Sequence, residues 1–386
     1  MDVTGKKLVF LVTEDWYFCS HRLELAKAAK AQGHEVIVVT RVQHHADNII
    51  EAGLTLVPVA FSRSLRNPFS DMALLFSLYL ICRKHTPDLI HHVALKPVLI
   101  GSVVQFAVRL LTGKKSQVVN ALTGLGYTFS SNDLKARFVN LLLRPVLKWV
   151  LNNRYSHVIL QNEDDLQLLT SKSLVDKERV SLIRGSGVDV SLFQPVAEPD
   201  GEITVILAAR MLRDKGIYEF VDAAKILKQK KPAVRMVLAG GLDDANPSAI
   251  PVQQLEAWQS EGVIEWWGKQ ADMPAVFSQA HIVCLPSYRE GLPKVLLEAA
   301  ACARPLVATD VPGCREIVQD GFNGYLVPAR NAESLADAIN KLVQDPTARK
   351  AMGSNGRQLV EQHFSSDIII EQTLGLYSRI LGGQAE

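Results

Sequence analysis

Two carboxylates, Glu290 and Glu298, are separated by seven intervening residues in Glu290-Gly-Leu-Pro-Lys-Val-Leu-Leu-Glu298. The apolar run Ala280–Pro286 before them reads as a buried strand, and Ala299–Cys302 after them reads as helix. Pro293 is expected at the first helical position, where its missing N–H costs nothing. The free N–H groups of Gly291, Leu292, Lys294 and Val295 then point out of the helix start, an arrangement that attracts an anion. With a hydroxyl-accepting carboxylate on either side, the site suits a phosphate flanked by polyols, the make-up of a nucleotide sugar. The same pattern also arises from one glutamate in a first turn and another on a solvated face, and the spacing alone leaves both readings open.

Other side chains with chemical potential follow strand-like runs. Arg210 and Lys215, in Ala208-Ala-Arg-Met-Leu-Arg-Asp-Lys-Gly216, fall on a turn where two cations could face a diphosphate, Arg in bidentate fashion; a solvated basic turn is the plain alternative. Gly240 opens a tight turn after the next strand, and Gly268 follows Trp266-Trp267. Asp243 and Asp244 are adjacent, without the intervening residue of an Asp-x-Asp metal signature. In the first half, His91, His92 and Lys96 precede Pro97 at a strand-to-helix turn, with Lys96 expected to face a cleft. Thr123 and Gly124 open a glycine-containing turn fit for close approach of a sugar or phosphate. Asp15 is a candidate partner for an acceptor hydroxyl, and Ser20 reads equally well as a helix N-cap. Lys135–Trp149 interleaves cations with Phe, Leu and Trp, as interfacial helices do and as core helices with snorkelling cations also do.

The elements that must position these groups form two similar series. Strand-like runs at 8–12, 35–40, 54–59, 88–92, 117–121 and 157–161 alternate with helical patterns, among them 21–32 and 71–84. After the break Gln194–Gly201 the scheme repeats with runs at 203–209, 234–239, 263–266, 281–285 and 305–308. Such alternation calls for parallel sheets covered on both faces. The fold class is therefore α/β, two Rossmann-like domains at 1–190 and 200–365 facing across a cleft. Ligands of these sheets bind beyond the strands' carboxyl ends.

Net charge is only +2 over 386 residues, which argues against a dedicated nucleic-acid binder. Residues 1–160, however, hold 19 Lys+Arg against 10 Asp+Glu, a basic half suited to a phosphorylated ligand or an anionic surface. Five scattered cysteines without a C-x-x-C read as thiols in a reducing compartment. The first apolar run is too short for a signal peptide, and no stretch is expected to span a bilayer. A cytoplasmic protein, peripheral on the inner membrane, is the expectation.

The glutamate pair at a strand-to-helix junction, with Arg-x-x-x-x-Lys-Gly at 210–216, resembles the signature of family-4 retaining glycosyltransferases of the GT-B fold. Phe61–Phe69, Thr123–Gly126, Asn246-Pro247 and Leu285–Gly291 narrow the resemblance to bacterial transferases, among them N-acetylgalactosaminyltransferases, that extend sugars on undecaprenyl diphosphate. It implies a UDP-sugar donor carrying an N-acetylhexosamine or hexose, and a lipid-linked sugar acceptor. It implies Glu298 on the ribose, Glu290 on the donor sugar, and Arg210 with Lys215 on the leaving diphosphate, with no metal and no cofactor. Retention would proceed by front-face attack assisted by the departing phosphate, and a helix at 366–381 would return to the N-terminal domain. A GT-B nucleotide-sugar epimerase, a soluble acceptor and a non-catalytic nucleotide-sugar binder remain as alternatives. The chain departs from the family at Trp16-Tyr17-Phe18, where a glycine-rich loop is usual, at Ala303-Arg304 and at Gly291-Leu-Pro. The first departure leaves open whether residues 13–20 touch a ligand.

Overall fold

The computed structural model describes residues 5–61, 68–123, 134–230, 233–244 and 246–382, and side chains over the same ranges except 68–70 and 134–142. The chain forms two compact units, 1–186 with 369–386, and 187–368.

In the first unit, β1 (Lys7–Glu14), β2 (Glu35–Arg41), β3 (Thr55–Pro58), β4 (Leu89–Val93), β5 (Gln117–Leu122), β6 (Ser156–Leu160) and β7 (Val180–Leu182) make one parallel sheet in the order 3-2-1-4-5-6-7. The near-continuous apolar runs of these strands follow from burial on both faces. One face packs under Pro68–His85, Leu95–Thr112 and Leu134–Leu151, through Leu78, Val104 and Val108 and, farther along, Leu147 and Val150. The other face takes Leu25 and Ala29 of the helix Leu23–Ala31, with Leu374 and Tyr377 of the terminal helix Ser366–Gly382. The Tyr377 hydroxyl bonds Nδ1 of buried His91, fixing that helix to β4.

The second unit repeats the plan with β8 (Ile203–Ala208), β9 (Val234–Ala239), β10 (Glu265–Trp266), β11 (Ile282–Leu285), β12 (Leu306–Thr309) and β13 (Gly324–Val327), parallel in the order 10-9-8-11-12-13.

Several expectations change. β7 and β13 are short strands among turns and were not anticipated, and β10 is two residues long. The segment after β1 is not a loop but a short helix, Asp15–His21. Leu95–Thr112 is long and apolar enough to cross a bilayer, against the expectation that no stretch is; here it forms the crossover between β4 and β5 and lies along the sheet.

Asp15 also changes role. Its side chain is fully buried, Oδ1 accepting from the Trp16 N–H at 2.7 Å and Oδ2 from the N–H groups of Gln43, His44 and His45 at 2.7 to 2.9 Å. Oδ2 ties the end of β1 to the turn after β2 while Oδ1 caps the next residue, so the Asp15 carboxylate, expected to meet an acceptor hydroxyl, is here held by the chain's own backbone. Burial raises its pKa, but the four backbone donors outweigh burial and hold it below the ordinary 3.8. A depressed pKa means the stabilisation is present above the ordinary value and is lost as pH falls through the folded one. Asp15→Asn, which turns an amide NH2 toward these donors, should cost about 1–3 kcal/mol at neutral pH. Urea midpoints of the two proteins should converge below pH about 4; an unchanged midpoint at neutral pH would refute the role.

Candidate functional site

The sequence-selected residues of the second unit converge where β8 and β11 end side by side. Past β8 the chain runs beside the turn after β9, joined by Ala209 N–H to the Ala239 carbonyl and Met211 N–H to the Gly241 carbonyl, both at 3.0 Å. Gly240 permits this, since a Cβ there would lie 1.7 Å from the Ala209 carbonyl oxygen. Its N–H donates to the Gly268 carbonyl at 2.8 Å and its carbonyl accepts from Trp266 Nε1 at 3.0 Å. Gly240 is thus a backbone junction of three loops, and Gly268, at φ 66° with open space beside it, rims it.

A single 3-10 turn, Arg213–Lys215, ends at left-handed Gly216, whose missing Cβ leaves room for the Pro286 carbonyl; a Cβ would sit 2.1 Å away. Tyr288 N–H donates to the Asp214 carbonyl at 2.9 Å. These contacts pin the cationic turn to the loop after β11, and Lys215 Nζ meets Glu290 Oε1 at 2.5 Å, both side chains largely buried. Half-exposed Arg210 pairs with Asp243 Oδ2 at 2.6 Å. Gly313 presses against the next peptide of the loop, where a Cβ would be 2.4 Å from the Gly291 carbonyl oxygen. Thr309 Oγ1 donates to the Ser287 carbonyl.

The helix Lys294–Ala301 begins one residue later than expected. Pro293 is its N-cap in extended conformation, Gly291 and Leu292 lie on the loop ahead, and Lys294 and Val295 form the first turn. Glu298, on that helix, is mostly buried, with Lys294 Nζ 3.5 Å from Oε1. No group of three or more His, Cys, Asp or Glu side chains assembles a metal site among the described residues.

Sequence reading missed Asp243 as the partner of Arg210, and missed two loop anchors. Gly313 lies four residues past β12, in the short helix Pro312–Arg315, and the Pro-Gly pair that opens that helix was its signal. Tyr288, whose hydroxyl donates to Glu219 Oε1 at 2.7 Å and whose ring lies under Arg330, had none.

In the first unit Lys96 is the second residue of its helix, its ammonium 3.0 Å from Asp71 Oδ1 and mostly buried. It follows Ala94, at φ 76° and ψ 163°, a region populated almost only by glycine. The Ala94 N–H donates to the Ala121 carbonyl at 3.0 Å, two residues before partly buried Thr123 at the end of β5. His92 is fully buried, Nδ1 lies 2.8 Å from Asn120 Oδ1, and its ring fills the space a Cβ on Gly101 would need. Its neighbour His91 is buried as well. Gly124 lies outside the described residues, as do the 62–67 part of the Phe61–Phe69 fragment and the side chains of Lys135 and Arg137.

Burial lifts the Glu298 pKa above the ordinary 4.5, and Lys294 only partly opposes it. A raised folded pKa favours the folded state fully below the ordinary value, an advantage lost as pH rises through the folded one. At neutral pH without ligand, Glu298→Gln should therefore raise the thermal midpoint, the gain shrinking as pH falls toward the ordinary range. A lower midpoint at neutral pH would show that the Lys294 pairing dominates.

Two family models cover most of the chain, Glycosyl transferase 4-like at residues 7–162 and Glycosyl transferases group 1 at 191–359. An N,N'-diacetylbacillosaminyl-diphospho-undecaprenol alpha-1,3-N-acetylgalactosaminyltransferase of Campylobacter jejuni is 27% identical, covering 93% of this chain and 95% of its own. An alpha-maltose-1-phosphate synthase of Mycolicibacterium smegmatis is 33% identical over 55% of this chain and 60% of its own. Among solved structures, sucrose-phosphate synthase of Thermosynechococcus elongatus superposes with a TM-score of 0.80 at 21% identity, covering 98% of this chain and 100% of that one. The Anabaena protein HepE in complex with UDP and glucose does so at 0.76 and 20%, covering 97% and 100%. With two parallel-sheet units and both family models in place, the chain belongs to the family-4 glycosyltransferases of the GT-B fold.

Proposed function

We propose that this glycosyltransferase moves a hexose or N-acetylhexosamine from a UDP-sugar to a sugar on undecaprenyl diphosphate, with retention, at the cytoplasmic face of the inner membrane. The observation that carries the donor side is the Lys215–Glu290 pair, fixed beside the helix that bears Glu298. In this reading Glu298 accepts from the ribose hydroxyls and Glu290 from a donor-sugar hydroxyl. Gly291, Leu292, Pro293, Lys294 and Val295 lie against the diphosphate, and Gly240 and Gly268 rim the nucleotide. Arg210 and Lys215 supply the charge that meets the diphosphate as it departs, so no divalent ion is required of the reaction. Their present partners, Asp243 and Glu290, hold both cations in place before donor arrives.

Transfer itself breaks the bond between the anomeric carbon and the β-phosphate oxygen. The acceptor hydroxyl attacks from the face the phosphate is leaving, and its proton passes to that phosphate oxygen. Lys96 and Thr123, beside strained Ala94, are the acceptor-side candidates; strain of this kind persists only where surrounding structure imposes it. The lipid-linked acceptor is supported by the name of the Campylobacter relative and by the basic first half of the chain. The Mycolicibacterium relative favours a second reading, a soluble acceptor.

UDP release from a panel of UDP-sugars, with and without short-chain polyprenyl-diphosphate sugars, tests the assignment. Acceptor-dependent release is expected, insensitive to EDTA. Arg210→Ala and Lys215→Ala should each lower kcat about 10²–10³-fold, and Glu290→Ala should abolish measurable transfer. Release only with water-soluble sugars would move the acceptor to the second reading, and UDP binding without release would exclude transfer.

A further inference from the structure

The three helices on one face of the first sheet are apolar on their outer side as well. Pro68–His85 turns Leu74 and Leu78 into the core, while Met72 and Phe76, 65% and 63% exposed, and Leu80 follow one another at four-residue steps on the opposite side. Leu95–Thr112 exposes Val103, Phe106 and Leu110 at helical spacing, with Leu111 beside them; Leu110 and Leu111 are 71% and 69% exposed. Leu134–Leu151 exposes Val146 and Trp149. The Trp149 ring meets Phe106 edge-on at 5.2 Å, so the surface is continuous between the second and third helices. A core helix as apolar as Leu95–Thr112 would be mostly buried, yet only 28% of this one is. An apolar surface spread over three neighbouring helices marks an interaction site.

Charge selects the occupant. The three helices carry eight Lys or Arg and one acid, Asp71, which is taken by Lys96. Arg83 and Lys84 close the first helix, Lys114 and Lys115 follow the second, and Arg144 and Lys148 flank Val146; all six are exposed. A second copy would bring like charge against like. An anionic bilayer meets both features, accepting apolar side chains at the acyl boundary and cations among its headgroups. Because the helices are crossovers of the sheet, the contact is a face lying on the membrane and not a span.

We propose that the outer face formed by helical residues 71–85, 95–112 and 143–151 docks on an anionic lipid bilayer. Its purpose rests on the function proposed above, since a sugar on a polyprenyl chain is presented at such a surface.

Flotation of the full chain with phosphatidylglycerol-rich vesicles and with phosphatidylcholine vesicles tests this. The wild type should float with the anionic vesicles, far less with neutral ones, and less at high salt. The pairs Met72→Gln with Phe76→Gln, and Leu110→Gln with Leu111→Gln, should each reduce binding about tenfold or more. Both variants should keep wild-type UDP release with a water-soluble short-chain acceptor, which also shows that they are folded. Equal binding of wild type and variants overturns the proposal. So does a concentration-dependent dimer that these pairs abolish without any vesicle binding, which would assign the face to a second copy. Vesicle binding lost in the variants, with no acceptor ever turned over, sustains the surface and removes the proposed function. Turnover of a short-chain acceptor without vesicle binding does the reverse.

Discussion

The ion pair between Lys215 and Glu290 is the contact on which the second unit's site depends. It bridges loops that leave adjacent strands, β8 and β11, and it is largely buried. Taking two charges out of water costs more than a single ion pair usually returns, so a stability argument does not account for it. What the pair does is hold an ammonium and a carboxylate at fixed positions, with backbone contacts on both sides preventing either loop from relaxing. Tyr288 N–H on the Asp214 carbonyl and the glycine-tight approach of Gly216 to Pro286 make the separation a property of the backbone, not of two flexible side chains. Preorganised charge of this kind is the usual currency of transition-state stabilisation.

Sheet topology explains why the pair forms where it does. From β8 the chain winds outward to β9 and β10; from β11 it winds the other way to β12 and β13. The order therefore reverses between β8 and β11, and the loops leaving those two strands diverge to open a crevice at their carboxyl ends. The first unit reverses likewise between β1 and β4. Its two loops are finished differently: the one after β1 is closed by the Asp15 helix, and the one after β4 carries Ala94 in a strained conformation just ahead of Lys96. One architecture thus carries the Lys215–Glu290 pair and close-packed glycines at one unit's switch point, and the Asp15 helix with strained Ala94 at the other's.

The parts legible in the sequence were those that obey a local period. Eleven strand runs, the two-unit plan and the glutamate loop followed from apolar runs, turn residues and spacing. β7 and β13 escaped because Val180–Leu182 and Gly324–Val327 are too short to show a period and are strands only through their neighbours. The burial of Asp15 and His92 was not legible for a related reason. A polar residue at a strand's carboxyl end looks the same in sequence whether it meets a ligand or the protein's own backbone. Which one it meets depends on segments 28 to 30 residues away, the 43–45 turn for Asp15 and Asn120 for His92. Pro293 was misplaced by one residue because proline suits both the N-cap and the first turn, and the extended ψ of 107° decides for the cap.

The two acids of the loop and helix behave differently for a physical reason. Glu290 is matched by a lysine brought from a separate loop, whereas Glu298 pairs with Lys294 of its own helix, one turn away and at longer range. An i,i+4 partner contributes a few tenths of a kcal/mol on an exposed helix and cannot offset burial of a carboxylate. Burial therefore leaves Glu298 with a raised pKa, and further hydrogen-bond donors to its carboxylate would bring that pKa down. Hydroxyls are such donors, and a vicinal pair of them satisfies a carboxylate without introducing charge. Under the proposed function, the glutamate whose burial is less well offset is the one that selects a ligand by its hydroxyls, and the one held by a lysine from another loop keeps its geometry while a bond is made and broken beside it.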